Sequence, residues 1–533
     1  MKTSLLDPFE TIFSICRRTL GSYTWGRVMA AIDEDLPAES FAPGLAPLIA
    51  SLGLPDYIGE LARLEWTLYQ MRQGPHAPLP QVETISVNPT LRMVPVNWRS
   101  LIAFIASEAV TPEPLTQTGH VMIWQHPESG KIKFREAADV DLLALKLIVE
   151  QVDPREAAAL GDVTPGDVWK AINRAVKHGF LLSPPSRIQR VQPPAANLDP
   201  ALQQFVHADL FTLQWHITQA CDLHCKHCYD RSERDSMRLD RALSVLDDFY
   251  DFCQRMHVQG QVTFTGGNPL LYPHFDDLYR TAFQLGFGIA ILGNPTPRNR
   301  IEEIADIATP LYFQISLEGL APHNDDIRGK GHFSKSLAFL DMLQQLGIFS
   351  MVMLTLTRDN LDQVLPLAEL LKHRADFFTF NRLSTVGEGA NLLMPQKKAF
   401  KAFLKRYEKA VGGNPILGRK DNLLNIVRWE NGHPPFGGCT GYGCGAAFNF
   451  MALLPDGEVH ACRKFPSAIG NIRAKSLYDI YHTAQANRYR AGSQACKACG
   501  LNLVCRGCLA ITHSMGLDVF DDKDPFCFAI PDS

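Results

Sequence analysis

At 533 residues the chain has room for three or four domains of about 100–200 residues each. Its 46% hydrophobic and 20% charged content excludes a largely disordered chain, and a net charge of −4 gives no basis for a nucleic-acid or anionic-membrane partner. No apolar run of about 18 residues offers a membrane span, and Asp7, Pro8 and Glu10 interrupt any signal-peptide core, so a cytoplasmic setting with reduced thiols is expected.

Residues 1–75 read as helical. Ile58, Leu61, Leu64 and Leu68 recur on one face of a helix over 57–71. The stretch PDYIGELARLEWTLYQM resembles a helical N-terminal domain of other peptide-modification proteins. Residues 76–182 read as a small α+β module. Strands are expected at 83–87, 120–125 and 131–134, the last two joined by a turn at 127–130. Helices follow at 139–149 and from Pro165 to His178, the latter capped by Thr164 and closed by Gly179. This order resembles the winged-helix-like module that binds leader peptides in peptide-maturation systems; a helical spacer is the plain alternative. Five prolines between 183 and 200 mark 183–205 as a semi-stiff linker.

Over 206–390 the pattern alternates. Strands are expected at 211–220, 261–267, 288–294, 311–319, 350–357 and 377–384. Helices fit at 240–257, 273–285, 297–307, 332–346 and 360–373. Six βα units imply a parallel sheet, either doubly wound or a partial barrel. Residues 391–533 form a last region whose 439–527 stretch is rich in Cys and Gly and poor in periodic segments, as expected of a fold held by metal.

The thirteen cysteines are unevenly spread. Cys16 and Cys253 lie among apolar neighbours and read as buried thiols. Cys221, Cys225 and Cys228 form C-x3-C-x2-C directly after the first strand of the alternation. Three thiolates can hold three irons of a [4Fe–4S] cube and leave the fourth open. Zinc is the rival, but structural zinc wants four closed ligands, and His224 and His227 lie too close in sequence to complete a tetrahedron.

The loop resembles the signature of the radical S-adenosylmethionine (SAM) superfamily, and further strand ends fit. Strand two ends in Gly266-Gly267-Asn268-Pro269, where the family has Gly-Gly-Glu-Pro. The glycines are expected to let the backbone approach the methionine group of SAM, and Asn268 to accept a hydrogen bond from its amino group without charge assistance. Strand three ends in Gly293-Asn294-Pro295. Strand four ends in Ser316-Leu317-Glu318-Gly319, with Arg328-Gly329 downstream. By resemblance His227, Asn294, Ser316, Glu318 and Arg328 join the cofactor contacts, Ser316 at the ribose and Arg328 at the carboxylate. The implied catalytic centre is the cluster held by Cys221, Cys225 and Cys228, where reductive cleavage of SAM yields a 5′-deoxyadenosyl radical that abstracts hydrogen from substrate.

Eight cysteines remain: Cys439, Cys444, Cys462, Cys496, Cys499, Cys505, Cys508 and Cys527. Their spacing suits two zinc ribbons as well as iron–sulfur sites. Behind such a core they resemble the SPASM extension with two auxiliary [4Fe–4S] clusters, although Cys505-x2-Cys508 is one residue shorter than the family's C-x3-C. The resemblance implies one cluster on Cys439, Cys444, Cys462 and Cys508 and another on Cys496, Cys499, Cys505 and Cys527. In sulfatase-maturing members an Asp base follows the third auxiliary cysteine; here Arg463 and Lys464 follow Cys462. This pair is expected to bind an acidic peptide or tune a cluster, or simply to be a solvated basic pair. The stretches FNRLSTVGEGA, KDNLLNI and FGGCTGYGCGAAFNFMALLPDGEVHACRKFP resemble selenobiotic-type peptide maturases, the thio(seleno)oxazole modification enzymes.

The expected fold is therefore α/β: a partial (β/α)6 radical SAM barrel over 206–390, a Cys-rich SPASM extension over 391–533, and N-terminal helical and winged-helix-like modules. The expected partners are a precursor peptide with Cys or selenocysteine and an electron donor such as ferredoxin or flavodoxin, with neither nucleic acid nor membrane. The alternatives are an anaerobic sulfatase-type maturase, and a non-catalytic, metal-stabilised peptide-binding or electron-transfer protein.

Overall fold

The computed structural model describes residues 8–33, 35–74, 78–106, 114–190 and 200–529, and the chain divides into two units, Met1–Pro185 and Ser186–Ser533.

In the first unit, helices α1 (Pro8–Ile12), α2 (Ser14–Ala31), α3 (Phe41–Leu45), α4 (Leu48–Leu52) and α5 (Ile58–Gln73) come first. Strands β1 (Ser86–Val87) and β2 (Arg92–Arg99), helix α6 (Leu101–Ala106) and strands β3 (Leu115–Gln125) and β4 (Ile132–Glu136) follow. Helices α7 (Asp139–Val149), α8 (Pro154–Gly161) and α9 (Pro165–His178) and strand β5 (Leu181–Leu182) complete it. The period-two alternation of β3 divides two cores. Val121 and Ile123 join the apolar face of α1–α6, while Met122 and Trp124 join α7–α9. The three-stranded sheet β2–β3–β4 is thus covered on both faces. A boundary at residue 75 therefore does not separate two cores: the N-terminal helices need the sheet to bury Ile58, Leu61 and Leu64. The expected strand at 83–87 is only β1, and it pairs with β5 rather than with the hairpin. Strand β2, with Pro95 inside it, was hidden from the sequence reading. Thr164 caps α9 through the Asp167 amide, and Gly179 ends it in the left-handed conformation.

The second unit begins inside the expected linker. Ser186, Ile188 and Arg190 are buried, and Gln189 bridges to His207, so this stretch is packed and not a spacer; 191–199 lies outside the described residues. Then come β6 (Leu210–Thr218), α10 (Leu239–Met256), β7 (Gln259–Gly266), α11 (Phe275–Gln284), β8 (Gly288–Leu292), α12 (Arg298–Ile307) and β9 (Tyr312–Ser316). Helices α13 (Ala321–Arg328) and α14 (His332–Gln345), β10 (Ser350–Leu356), α15 (Val364–Leu371) and β11 (Phe377–Arg382) complete the alternation. Strands β6 to β11 are parallel and pair in sequence order. With crossovers of one hand, an unreversed order places every helix on one face, which is a partial (β/α)6 barrel and not a doubly wound sheet.

Helices α16 (Lys397–Val411) and α17 (Leu424–Glu430) lead to β12 (Phe450–Leu453), β13 (Glu458–His460) and β14 (Ala468–Asn471). Helices α18 (Leu477–Tyr481), α19 (Ala484–Ala491) and α20 (Leu509–Ser514) follow. Strand β12 pairs parallel with β6, and β13 and β14 continue antiparallel, giving one nine-stranded sheet. Residues 206–390 and 391–533 are thereby joined by main-chain hydrogen bonds across the expected boundary.

Candidate active site

The C-terminal ends of parallel strands gather loops at one end of a barrel. Cys221, Cys225 and Cys228 lie in the loop that leaves β6. Lys226 N–H donates to the Ile327 carbonyl of α13 at 3.0 Å, and Glu388 N–H donates to the Cys228 carbonyl at 2.9 Å. The loop also packs against the end of β7. A Cβ on Gly266 would stand 2.2 Å from the Thr218 carbonyl oxygen, and one on Gly267 2.2 Å from that of Ala220. Gly267 N–H and Asn268 N–H donate to those same oxygens at 2.9 and 2.7 Å. The glycines thus admit the cysteine loop, a packing role beside the backbone approach expected of them.

Each thiol has a polar neighbour. Asn294 Nδ2 is 3.6 Å from Cys221 Sγ, Arg328 Nη1 is 3.6 Å from Cys225 Sγ, and Cys228 Sγ is 3.2 Å from the Asp230 carbonyl. Burial pushes the Cys225 and Cys228 thiols up, opposed by Arg328 at the first and Arg231 at the second. A thiolate here is stabilised by positive charge, which an iron cluster supplies.

Arg328 does not stand free. Its Nε and Nη2 donate to Glu318 Oε1 at 2.9 and 2.6 Å, and His227 Nε2 approaches the same oxygen at 3.2 Å. Glu318 Oε2 accepts the Thr355 N–H at 2.8 Å. Burial alone would raise the Glu318 carboxyl, but His227 and Arg328 hold it far below the usual range. Glu318, expected among the direct cofactor contacts, is thus occupied by protein donors and orients Arg328 and His227 instead. The buried His227 Nδ1 has no protein partner, and Ser316 is half-buried at the end of β9. Asn268 Oδ1 accepts the Leu270 N–H at 3.3 Å, so one acceptor site of this amide is taken; Pro269 is buried behind it. Asp222, which the sequence reading passed over, accepts Nδ2 of both Asn268 and Asn294, at 3.1 and 2.6 Å. An unpartnered ring nitrogen at His227, amides at Asn268 and Asn294, and a charged guanidinium beside three thiols suit a ligand carrying both amino and carboxylate groups.

In the C-terminal part, Cys439, Cys444, Cys462 and Cys508 line one cavity with Lys464 and Arg382. Cys496, Cys499, Cys505 and Cys527 line a second with Arg506. Consecutive left-handed residues, Arg506 at φ 59° and Gly507 at φ 62°, turn the chain between Cys505 and Cys508 so that they enter different cavities. Burial lifts the thiols of Cys444 and Cys496 to about 11 and that of Cys462 to about 12. Both donor sets suit a cationic inorganic group better than four neutral thiols. Asn422 and Asn425 brace this region: Asn422 accepts the Cys439 N–H at 2.7 Å, and Asn425 donates to the Val504 carbonyl at 2.8 Å. Cys16 and Cys253 are buried, as expected of packed thiols.

Two readings of Arg463 are corrected. Arg463 is buried, ion-paired with Asp230 and 5.0 Å from the Tyr229 ring centroid; Lys464 Nζ donates to the Arg382 carbonyl at 2.9 Å. Arg463 is therefore neither a solvated cation nor free for an acidic peptide, while Lys464 is half-buried and lines the cavity of Cys439, Cys444, Cys462 and Cys508. Arg190 was missed altogether. It donates to the carbonyls of Tyr442 and Cys444, each at 2.7 Å, and its guanidinium lies 3.8 Å over Phe448. The alternation of buried Ser186, Ile188 and Arg190 was the signal, masked by the flanking prolines.

Residues 215–371 match the radical SAM superfamily, and residues 444–508 match an iron–sulfur cluster-binding domain, SPASM. The chain is 30% identical over 335 residues to the mycofactocin maturase MftC of Mycolicibacterium smegmatis, covering 59% of this chain and 82% of that one. It is 24% identical over 311 residues to the antilisterial bacteriocin subtilosin biosynthesis protein AlbA of Bacillus subtilis, covering 55% and 65%. The fold is similar to the crystal structure of Streptococcus suis SuiB, with a TM-score of 0.50 at 15% identity over 77% of this chain and 97% of that one.

Proposed function

The chain belongs to the radical SAM superfamily and carries a SPASM domain, and from that premise we propose that it is a maturase of a ribosomally made peptide. The observation that carries the site assignment is the set of three thiols at the end of β6, faced by Asn294 and Arg328. In this reading Cys221, Cys225 and Cys228 hold the [4Fe–4S] cluster that binds SAM. The two four-cysteine cavities hold auxiliary [4Fe–4S] clusters. Bound there, cluster and SAM supply a 5′-deoxyadenosyl radical for hydrogen abstraction. The protein's own part is to fix the ligand. Arg328, held by Glu318, meets the SAM carboxylate; His227 Nδ1 and the Ser316 hydroxyl offer hydrogen bonds; Asn268 and Asn294 line the amino end.

Support for a peptide substrate comes from the maturase relatives, and support for a Cys- or selenocysteine-containing one from the three stretches that resemble selenobiotic maturases. The first unit would hold the leader: β2 and β4 are edges to which an extended peptide can add by main-chain hydrogen bonds. All thirteen cysteines are free thiols, which suits a reducing cytoplasm and a donor such as ferredoxin or flavodoxin. Among the described residues no helix is long and apolar enough to cross a membrane.

Anaerobic reconstitution tests this reading. About twelve irons per chain are expected, from three four-iron clusters. Changing Cys221, Cys225 and Cys228 together to Ala should leave about eight and abolish SAM cleavage. Cleavage surviving that change sinks the catalytic assignment; zinc filling the remaining sites sinks the auxiliary clusters while sparing the core.

A further inference from the structure

We infer that Asp222 supplies the carboxylate that receives the amino group of SAM, in place of the acid absent at position 268. The inference rests on the SAM-site reading above and adds a contact to it. An amide stands at 268 where the family motif carries a carboxylate, and each of its polar atoms already has one protein partner. Asn268 Nδ2 donates to Asp222 Oδ1 at 3.1 Å, and its Oδ1 accepts the Leu270 N–H at 3.3 Å. The negative charge at the end of β7 is therefore brought from the cysteine loop. Asn294 Nδ2 touches both Cys221 Sγ, at 3.6 Å, and Asp222 Oδ1, at 2.6 Å, so one amide bridges the thiol and the carboxylate.

Both asparagines are buried, 4% and 8% exposed, and both aim their donors at the same oxygen, which fixes the carboxylate's orientation. A carboxylate oxygen accepts about two hydrogen bonds. Two amides fill Oδ1 and leave Oδ2 for a ligand, on a side chain that is itself exposed. Neighbouring acids are already committed. Glu318 holds Arg328 and His227; Asp230 holds Gln219, Ser232 and Arg463; Asp325 accepts the Gly331 and Phe333 amides; Asp326 pairs with Lys226. Asp222 beside the first cysteine and Arg328 beside the second then form a pair of opposite charges matched to the two ends of an amino acid.

The experiment uses the full chain, reconstituted anaerobically, with SAM binding followed by the change it causes in the electron paramagnetic resonance signal of the reduced cluster. The probes are SAM and its analogue lacking the amino group. Asp222→Asn should keep its iron and bind SAM about 10- to 100-fold more weakly, the range expected for losing a charged hydrogen bond. The analogue should bind wild type and Asp222→Asn alike. Adding Asn268→Glu to Asp222→Asn should restore most of the affinity for SAM. Unchanged SAM binding in Asp222→Asn overturns the inference, as does equal weakening for both probes or a double variant no tighter than the single. A wild-type chain that holds iron yet shows no SAM-dependent signal change refutes the underlying site reading instead.

Discussion

The Glu318–Arg328 pair is open to a quantitative test. The side chains are 2% and 10% exposed, and their bidentate contact at 2.6 and 2.9 Å shares an oxygen with His227. Glu318→Gln keeps the size, but an amide oxygen left on the Thr355 N–H turns its NH2 towards the Arg328 and His227 donors, so the variant loses both the charge and the acceptor. Removing one member of a buried pair strands the other, at a cost of about 3–5 kcal/mol. Arg328→Met removes the stranded cation, so the double variant should recover about 2–3 kcal/mol relative to the sum of the two singles. The assay is anaerobic urea unfolding of the reconstituted chain, read in parallel by far-ultraviolet circular dichroism and by iron–sulfur absorbance. A Glu318→Gln variant within about 1 kcal/mol of wild type, or a double variant that is simply additive, would refute the reasoning.

Three further outcomes are expected. Gly267→Ala places a Cβ 2.2 Å from the Ala220 carbonyl, and should cut iron retention at the first cluster while leaving eight of about twelve irons in place, counted by colorimetric assay. His332 is held down near 4, first by burial and then by Arg328, so it stays neutral in the folded state while the unfolded chain takes a proton below its ordinary value of 6.5. Stability should therefore fall as pH drops from 6.5 towards 4, by about 1–2 kcal/mol at pH 5 after allowing for solvent screening, and His332→Gln should flatten that slope in urea titrations. Deleting residues 1–185 should spare iron content and uncoupled SAM cleavage but abolish modification of a full-length precursor, followed by mass spectrometry; wild-type modification by the truncated chain would remove the leader-binding role.

The barrel was legible because its signals are local and repeated. Each βα unit carries its own apolar period, so α10, expected at 240–257, is found at Leu239–Met256. The cysteines were legible as chemistry, since thiol spacing survives without any knowledge of packing. What escaped was set by contacts far apart in sequence. Asp222 acquires its neighbours only when β7 and β8 align beside β6, and Arg190 finds Cys444 across 254 residues. Helix α13 escaped because Pro322 and a polar run hide an element that exists to deliver Arg328 and receive Lys226. The stretches that resemble selenobiotic maturases prove to be partly scaffold: Glu388 grips the Cys228 carbonyl, and Asn422 and Asn425 tie the Cys439 loop to residues 504–507. They speak more directly to how clusters are held than to which peptide is taken.

Strand β12 has a consequence for biogenesis. It covers the outer edge of β6, yet the paired positions Thr212 and Phe450 are separated by most of the second unit. During synthesis, at about 5–20 residues per second, the ribosome releases β6 and its cysteine loop well over ten seconds before the strand that shields them. For that interval β6 presents an unpaired edge, the kind of template that recruits other chains. Over that interval nascent barrels are expected to be prone to association through this edge. Iron delivered before β12 docks would meet the first three thiols without the two cavities downstream.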